Sequence, residues 1–396
     1  MPKVEVAIQP EILRWVKRVI LEQCPVTRKA QDQIGLLDAW MKKEQVPTLA
    51  KVEQLSKDTR IPFGYFFLQH PPEKETTIAD YRTLKSKGVA EPSRELIDVV
   101  NHMLLVQDWM AEHRQENGFA PLPFVGSASE NMHISEIAPS IRMELDLSLE
   151  WYRDARSSRE AAFRFLREKA MHANILVMQS GVVGPGSNRP LDVKEFRAFT
   201  LVHPFAPLVF INACDSAGGK LFSLAHELAH IWLGEDSLLN TGSEHIFVDP
   251  VETRCNAVAA EILLPMSIFP SKWEAAFADA GGDVNQTSEI LSTYFRCGKI
   301  PVLRRALDTK FISRMTYQVM VQAILAQYRE QKKKEKKKAG GEYYTMKLSR
   351  WDTHFLQALD ASTKSGRTSY VDAYRLTGMN GKTFSKLMDK VRGMLV

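Results

Sequence analysis

The chain has 396 residues, 44% hydrophobic and 25% charged, which describes a globular protein too long for one ordinary core and predicts two to four domains. No apolar run approaches the roughly eighteen residues of a membrane span, Met1-Pro2-Lys3-Val4-Glu5 lacks the layout of a signal peptide, and Cys24, Cys214, Cys255 and Cys297 are scattered with no C-x-x-C pair, so a reducing cytoplasm and no membrane partner are expected. A formal charge of +5 is modest for this length and much of it lies in Lys332 to Lys338, so overall charge alone does not argue for nucleic acid.

Residues 9 to 68 read as short helices. Ile12, Leu13, Trp15, Val16, Val19 and Ile20 form one apolar stripe, Ile34, Leu36, Leu37, Trp40 and Met41 a second, and Leu49, Val52 and Leu55 a third. Pro47-Thr48 supplies a connection and a cap for the third helix. The runs Leu36-Leu37-Asp38-Ala39-Trp40, Val46-Pro47-Thr48-Leu49 through Leu55, and Ile61-Pro62-Phe63-Gly64-Tyr65-Phe66-Phe67-Leu68 resemble the XRE-type helix-turn-helix that often precedes a peptidase domain of the ImmA/IrrE family. Thr27-Arg28-Lys29-Ala30-Gln31-Asp32 stands where DNA readers of that type carry Gln-x-x-Leu-Ala. Contact with DNA, docking of a protein and a purely structural role therefore all stay open for this segment.

His70-Pro71-Pro72-Glu73-Lys74-Glu75 is a turn-rich connector, and Ile78-Ala79-Asp80-Tyr81-Arg82-Thr83 resembles the linking segment of the same family. A long helix is predicted from about Glu91 to Asn117, with Leu96, Val99, Val100, Met103, Leu104 and Val106 spaced for packing. His102 and His113 read as ordinary residues of that helix. After Pro121-Leu122-Pro123, further helices are predicted between Ile134 and Ala173, one holding Trp151 and Tyr152 and another the charged stretch Arg159 to Lys169. They form a helical layer against a sheet. Ile175-Leu176-Val177-Met178, Phe196-Arg197-Ala198-Phe199-Thr200-Leu201 and Leu208-Val209-Phe210-Ile211-Asn212 are its strands, short and parted by Gly and Pro. An edge strand of such a sheet can pair with an extended peptide.

Next comes Ser223-Leu224-Ala225-His226-Glu227-Leu228-Ala229-His230, which contains His-Glu-x-x-His. On a helix, His226 and His230 lie one turn apart on one face, where two imidazoles can grip one Zn²⁺, and Glu227 is placed to act as general base. Three fixed positions in five arise by chance, and paired histidines can be plain core residues. Against that, Leu224, Ala225, Leu228, Ala229, Ile231 and Trp232 would bury this helix, and buried ionisable groups need something to satisfy them.

A catalytic zinc normally has three protein ligands. A metzincin-like completion would use Asp236, but Leu233 stands where that pattern needs Gly. Glu244, His245, Asp249, Glu252 and Glu261 remain. Glu252 is the best placed, in the first turn of a second helix that runs from Val251 and stops at Pro265; an N-terminal carboxylate favoured by the macrodipole is the plain alternative. Glu261 falls about 900° further round and cannot face the same ion. His245 and His203 are candidates to help stabilise an oxyanion, although each also reads as an ordinary loop histidine.

Phe210-Ile211-Asn212 with Asp215, Phe222 through His230, and Glu252-Thr253-Arg254-Cys255-Asn256 with Ala259-Ala260-Glu261-Ile262-Leu263-Leu264-Pro265 resemble the three signature blocks of the ImmA/IrrE metallopeptidases. The resemblance implies that His226, His230 and Glu252 ligate Zn²⁺ and that Glu227 is the general base. It also implies a cytoplasmic endopeptidase whose substrate is a DNA-binding repressor, typically of XRE type, controlling stress-response or mobile-element genes.

From Met266 to Tyr328 the pattern is helical again. Ile290 to Arg296 and Ile300 to Leu307 resemble the small helix-turn-helix that follows the core in this family, and Arg304 and Arg305 read as a solvated face or a phosphate contact. Gln331 to Gly341 is a charged linker. Beyond it Trp351, Phe355, Leu356 and Leu359, then Ser369 to Gly378, then Phe384, Leu387, Met388 and Val391 lay out helix, turn and helix, a second small docking domain.

The fold expected is α+β and mostly helical, a zincin-like core with a small β-sheet flanked by N- and C-terminal helical domains. The expected boundaries are 1–70 for the XRE-like domain, 71–149 for a linker and helical region, 150–330 for the peptidase domain, 331–341 for the Lys-rich linker and 342–396 for the C-terminal helical domain. The alternative to an enzyme is a non-catalytic DNA-binding regulator or toxin-antitoxin component that uses the peptidase fold for binding.

Overall fold

The computed structural model describes residues 4–23, 28–59, 61, 63–71, 92–129, 131–155, 158–184, 189–239, 249–334 and 343–393. The chain divides into two compact units, Met1–Tyr81 and Arg82–Val396. No helix among the described residues is long and apolar enough to cross a membrane.

The first unit holds α1 (Pro10–Gln23), α2 (Arg28–Met41) and α3 (Leu49–Thr59), followed by a 3-10 turn, Phe63–Phe67. Its three apolar stripes merge into one core that includes Ile12, Val16, Leu37, Trp40, Val52 and Phe66. Leu49 N–H donates to Val4 O at 2.9 Å and Val6 N–H to Pro47 O at 2.9 Å, which ties the N-terminal segment across the start of α3. Of the stretch compared with DNA readers, Thr27 lies outside the described residues and Arg28 to Asp32 form the first turns of α2. The linker-like segment Ile78 to Thr83 also lies outside them.

In the second unit α4 (Arg94–Glu116) starts at Ser93, whose hydroxyl accepts from Leu96 N–H. After it, α5 (Ile134–Glu144) ends early because Asp146 takes a left-handed φ of 47°, a conformation that cannot continue a helix. Trp151 and Tyr152 accordingly sit in a three-residue 3-10 turn rather than in a full helix, both buried. Then α6 (Arg159–His172) leads into a four-stranded mixed sheet of β1 (Leu176–Ser180), β2 (Ala198–Leu201), β3 (Leu208–Asn212) and β4 (Ser237–Leu239) in the order β1-β3-β2-β4. β1 runs parallel to β3, with Leu176 opposite Leu208, and β2 is antiparallel to both its neighbours, with Ala198 between Ile211 and Leu239.

Side chains alternate across this sheet. Val177, Ala198, Val209 and Ile211 share a core with α7 (Ala217–Leu233), whereas Met178 and Phe210 lie beside Val99 and Met103 of α4. Gln107 of α4 donates to Leu201 O at 2.8 Å and Ala206 O at 2.9 Å, holding the β2–β3 connection. The remaining elements are helical: α8 (Pro250–Leu263), α9 (Phe269–Asp279), α10 (Val284–Tyr294), α11 (Lys299–Asp308), α12 (Arg314–Lys334), α13 (Tyr343–Leu348), α14 (Thr353–Lys364), α15 (Tyr370–Thr377) and α16 (Gly381–Gly393). The architecture is α+β and mostly helical, with a small sheet beside the motif helix. Of the Lys-rich run, residues up to 334 extend α12, and 335–342 lie outside the described residues.

The C-terminal helices are keyed to the sheet by buried polar groups. Arg167 of α6 donates to Val177 O at 3.1 Å, Ser349 O at 2.8 Å and Trp351 O at 2.7 Å. Asp352 accepts from Val177 N–H at 3.2 Å and from Phe355 N–H at 3.0 Å. Gln179 N–H donates to Arg350 O at 2.9 Å, which covers the outer side of β1. Arg305 is neither a solvated residue nor a phosphate contact: it is buried and pairs with Glu261 at 3.1 Å.

Candidate metal centre

The motif helix α7 is fixed at both ends. Ser216 caps it by accepting from Gly219 N–H at 3.1 Å, and Asp215 beside the cap pairs with Arg197 at 3.1 Å. At the other end Gly234 takes φ 73°, and a Cβ there would stand 3.0 Å from Gly126 Cα. That glycine lets residues 126–128 close over the last turn, where Gly126 N–H donates to Ile231 O at 2.9 Å and Ala128 N–H to Trp232 O at 2.8 Å. Leu224, Ala225, Leu228, Ala229, Ile231 and Trp232 are all buried, so the helix has no solvated face along the motif.

The second helix, α8, begins with Asp249 accepting from Val251 N–H at 2.9 Å and with Pro250 in its first turn. Arg254 donates to Ser129 O at 2.7 Å and to Met132 O. At the far end Arg142 donates to Glu261 O and the Trp151 indole to Ile262 O at 3.1 Å. These bonds tie α8 to α5 and its flanking segments, and α8 packs along α7, which brings Glu252 to the two histidines.

His226 Nε2 lies 3.0 Å from His230 Nε2, and Glu252 lies 3.2 Å from His226 Nε2 and 3.8 Å from His230 Nε2. One donor atom from each of these residues falls within 4.8 Å of the others, a group able to hold a metal ion. Ligands bound to zinc in a tetrahedron at about 2.0–2.1 Å stand about 3.3 Å from one another, so the three spacings fit one small divalent ion. The donor chemistry fits as well, two imidazoles and a carboxylate leaving one position open. His226 Nδ1 lies 3.1 Å from Asn256 Oδ1; an amide oxygen can only accept, so Nδ1 carries the proton and Nε2 presents its lone pair to the centre.

Glu227 is fully buried. Its Oε2 accepts from the Thr200 hydroxyl at 2.6 Å and from the Ser237 hydroxyl, whereas Oε1 has no hydrogen-bond partner among the described residues. Burial pushes this carboxyl above the usual carboxylate range, opposed by His226 and the two hydroxyl donors. β2 and β4 thus anchor one oxygen and leave the other as an acceptor.

The other sequence candidates go elsewhere. Glu261 pairs with Arg305, Asp249 caps α8 and Asp236 accepts from Val202 N–H at 2.6 Å, pinning the approach to β4. His203 accepts from Phe205 N–H at 3.1 Å within its own turn. Glu244 and His245 lie outside the described residues. Reading the sequence missed Asn256, Thr200 and Ser237. Asn256 carried a signal, since it is one turn beyond Glu252 on the same face; Ser237 carried none, because a three-residue strand has no periodicity.

Residues 187–299 match the family described as the IrrE N-terminal-like domain, a peptidase family. The matched span contains His226, Glu227, His230 and Glu252 and supports a metallopeptidase of the IrrE/ImmA kind. Residues 351–390 match a family described as a domain of unknown function. No curated protein and no solved structure matches the chain.

Proposed function

We propose that the chain is a zinc-dependent endopeptidase in which His226, His230 and Glu252 hold the metal and Glu227 is the general base. The convergence of three donor atoms within 4.8 Å, inside the span that matches a peptidase family, is the observation that carries this reading. Zinc held there would supply Lewis-acid polarisation of a carbonyl and would acidify water at the open position.

The chain's own residues then divide the work. Glu227, anchored through Oε2, offers Oε1 to the proton of the attacking water and returns that proton to the leaving amine. A carboxyl pushed up by burial holds a proton more readily than a solvated one, which suits the acceptor role. β4 ends the strand order, and an extended substrate segment paired along it would pass beside Ser237, the residue that touches the base.

The substrate implied by the resemblance is a cytoplasmic DNA-binding repressor of XRE type, selected with the help of the helices that flank the core. Cleavage would regulate stress-response or mobile-element genes. The XRE-like N-terminal segment would serve this selection by contacting DNA or by docking the repressor. The test compares new protein N-termini in cells expressing the wild type or Glu227→Gln. The expected result is a set of cleavage products that requires Glu227 while zinc content and fold stay the same. Identical products from both chains would sink the catalytic reading.

A further inference from the structure

The last three helices form a unit that the metal centre does not use. α14, α15 and α16 pack on one another through Phe355, Leu359, Leu376, Phe384, Leu387 and Val391, all buried. Only Gly378-Met379-Asn380 separates α15 from α16. Gly378 ends α15 in the left-handed conformation, φ 61°, Met379 is buried beneath the turn, and Asn380 Oδ1 accepts from Thr383 N–H at 2.9 Å to start α16. A Cβ on Gly381 would stand 2.8 Å from the Tyr374 hydroxyl oxygen, and the Tyr374 and Phe384 rings meet edge to face at 5.5 Å. The second helix is therefore seated rigidly on the first, a helix-turn-helix with a three-residue turn.

The outer face of α16 carries Lys382, Ser385, Lys386, Asp389 and Arg392, all exposed. None is apolar, unlike the centre of a typical protein-protein interface, which is rich in aromatics and poor in lysine. The acid on this face, Asp389, lies toward the C-terminal end and pairs with Arg392 at 2.6 Å, and the first two turns contain two lysines and no acid. Charge is also segregated along the chain. Residues 329–396 contain sixteen Lys and Arg against seven Asp and Glu, a formal +9, so residues 1–328 carry −4 within the chain total of +5. Net positive charge is thus concentrated at this end of the chain, which favours a polyanion there.

We propose that α15 and α16 form a DNA-binding helix-turn-helix in which α16 enters the major groove of duplex DNA, with Lys382, Ser385 and Lys386 directed at phosphates and base edges. An α-helix of about 10–12 Å diameter fits a groove about 12 Å wide, and the N-terminal residues of such a helix are those that approach the bases. This role is independent of the peptidase reading, and its test needs neither metal nor protein substrate.

The test measures binding of the full chain to a fluorescent random-sequence duplex of about 30 base pairs, at about 50 and 200 mM salt. The wild type is expected to bind at the lower salt and to lose at least about tenfold in affinity at the higher. Lys382→Glu/Lys386→Glu, at exposed positions, should weaken binding about tenfold or more and reduce the salt slope by about two, with the helical circular-dichroism signal retained. Ser385→Arg should strengthen it. Changing Lys332, Lys333 and Lys334 to Gln separates the lysine run from α16. No binding by the wild type at the lower salt, or a loss seen only when the lysine run is changed, would overturn the proposal.

Discussion

Asn256 settles which nitrogen His226 presents, by accepting from Nδ1 at 3.1 Å. Asn256→Ala is expected to leave the fold intact and to weaken zinc binding by about ten- to a hundredfold, as measured by competition with a chromophoric chelator; unchanged affinity would show that the tautomer is held by something else. Thr200 acts one step further out, on Glu227, the proposed general base. Its hydroxyl is one of two donors on Glu227 Oε2, and a hydrogen bond to a charged group is worth about 1.5–3 kcal/mol. In Thr200→Val, kcat should therefore fall about tenfold or more while KM hardly moves, and Thr200→Ser should restore it. A loss in Thr200→Ser as large as in Thr200→Val would point to packing rather than to the hydroxyl. The pairing of His226 with His230 was legible in the sequence because a helix puts residues four apart on one face, and Glu227 stands beside them in the motif. Thr200 was not, since its contact with Glu227 crosses from a strand to a helix 27 residues away.

Among the elements, those with a clear period read well and those defined by contacts did not. The helix carrying Glu252 was expected from Val251 to Pro265 and spans Pro250–Leu263, because a proline and a run of helix formers bound it. β4 was invisible, and Trp151 and Tyr152 look helical in sequence although left-handed Asp146 stops the preceding helix. Arg305 likewise looks like a surface residue until Glu261 is seen beside it. Asp352 shows how tertiary contacts decide stability. It caps α14, accepts from Val177 N–H across the sheet edge, and is the largest favourable charge acting on buried Arg167. Asp352→Ala removes all three at a site only 1% exposed, so a loss of about 3 kcal/mol is expected in chemical denaturation. A change below about 1 kcal/mol would mean that the C-terminal helices are not keyed to β1 in this way.

At the scale of the whole molecule, the chain has two units with separate cores, and the candidate metal ligands belong to the second alone. A ligand that binds only the folded state raises stability by mass action, about 4 kcal/mol at a thousandfold excess over Kd. Calorimetry should resolve two transitions, with added zinc raising the one that belongs to Arg82–Val396 and leaving the other in place. A zinc-dependent shift of both would show that the units unfold together. The mixed α+β class was legible from the change of period near residue 174, and the candidate metal centre from its motif. The partner was not, because substrate choice rests on surfaces, and surface residues have no periodicity that reports what they bind. Equilibrium zinc content of the purified wild-type chain beside Glu252→Ala, after dialysis at a fixed free zinc concentration, tests the centre most directly. One zinc per wild-type chain and little in the variant is the expected result; full zinc occupancy in Glu252→Ala, or none in the wild type, would contradict it.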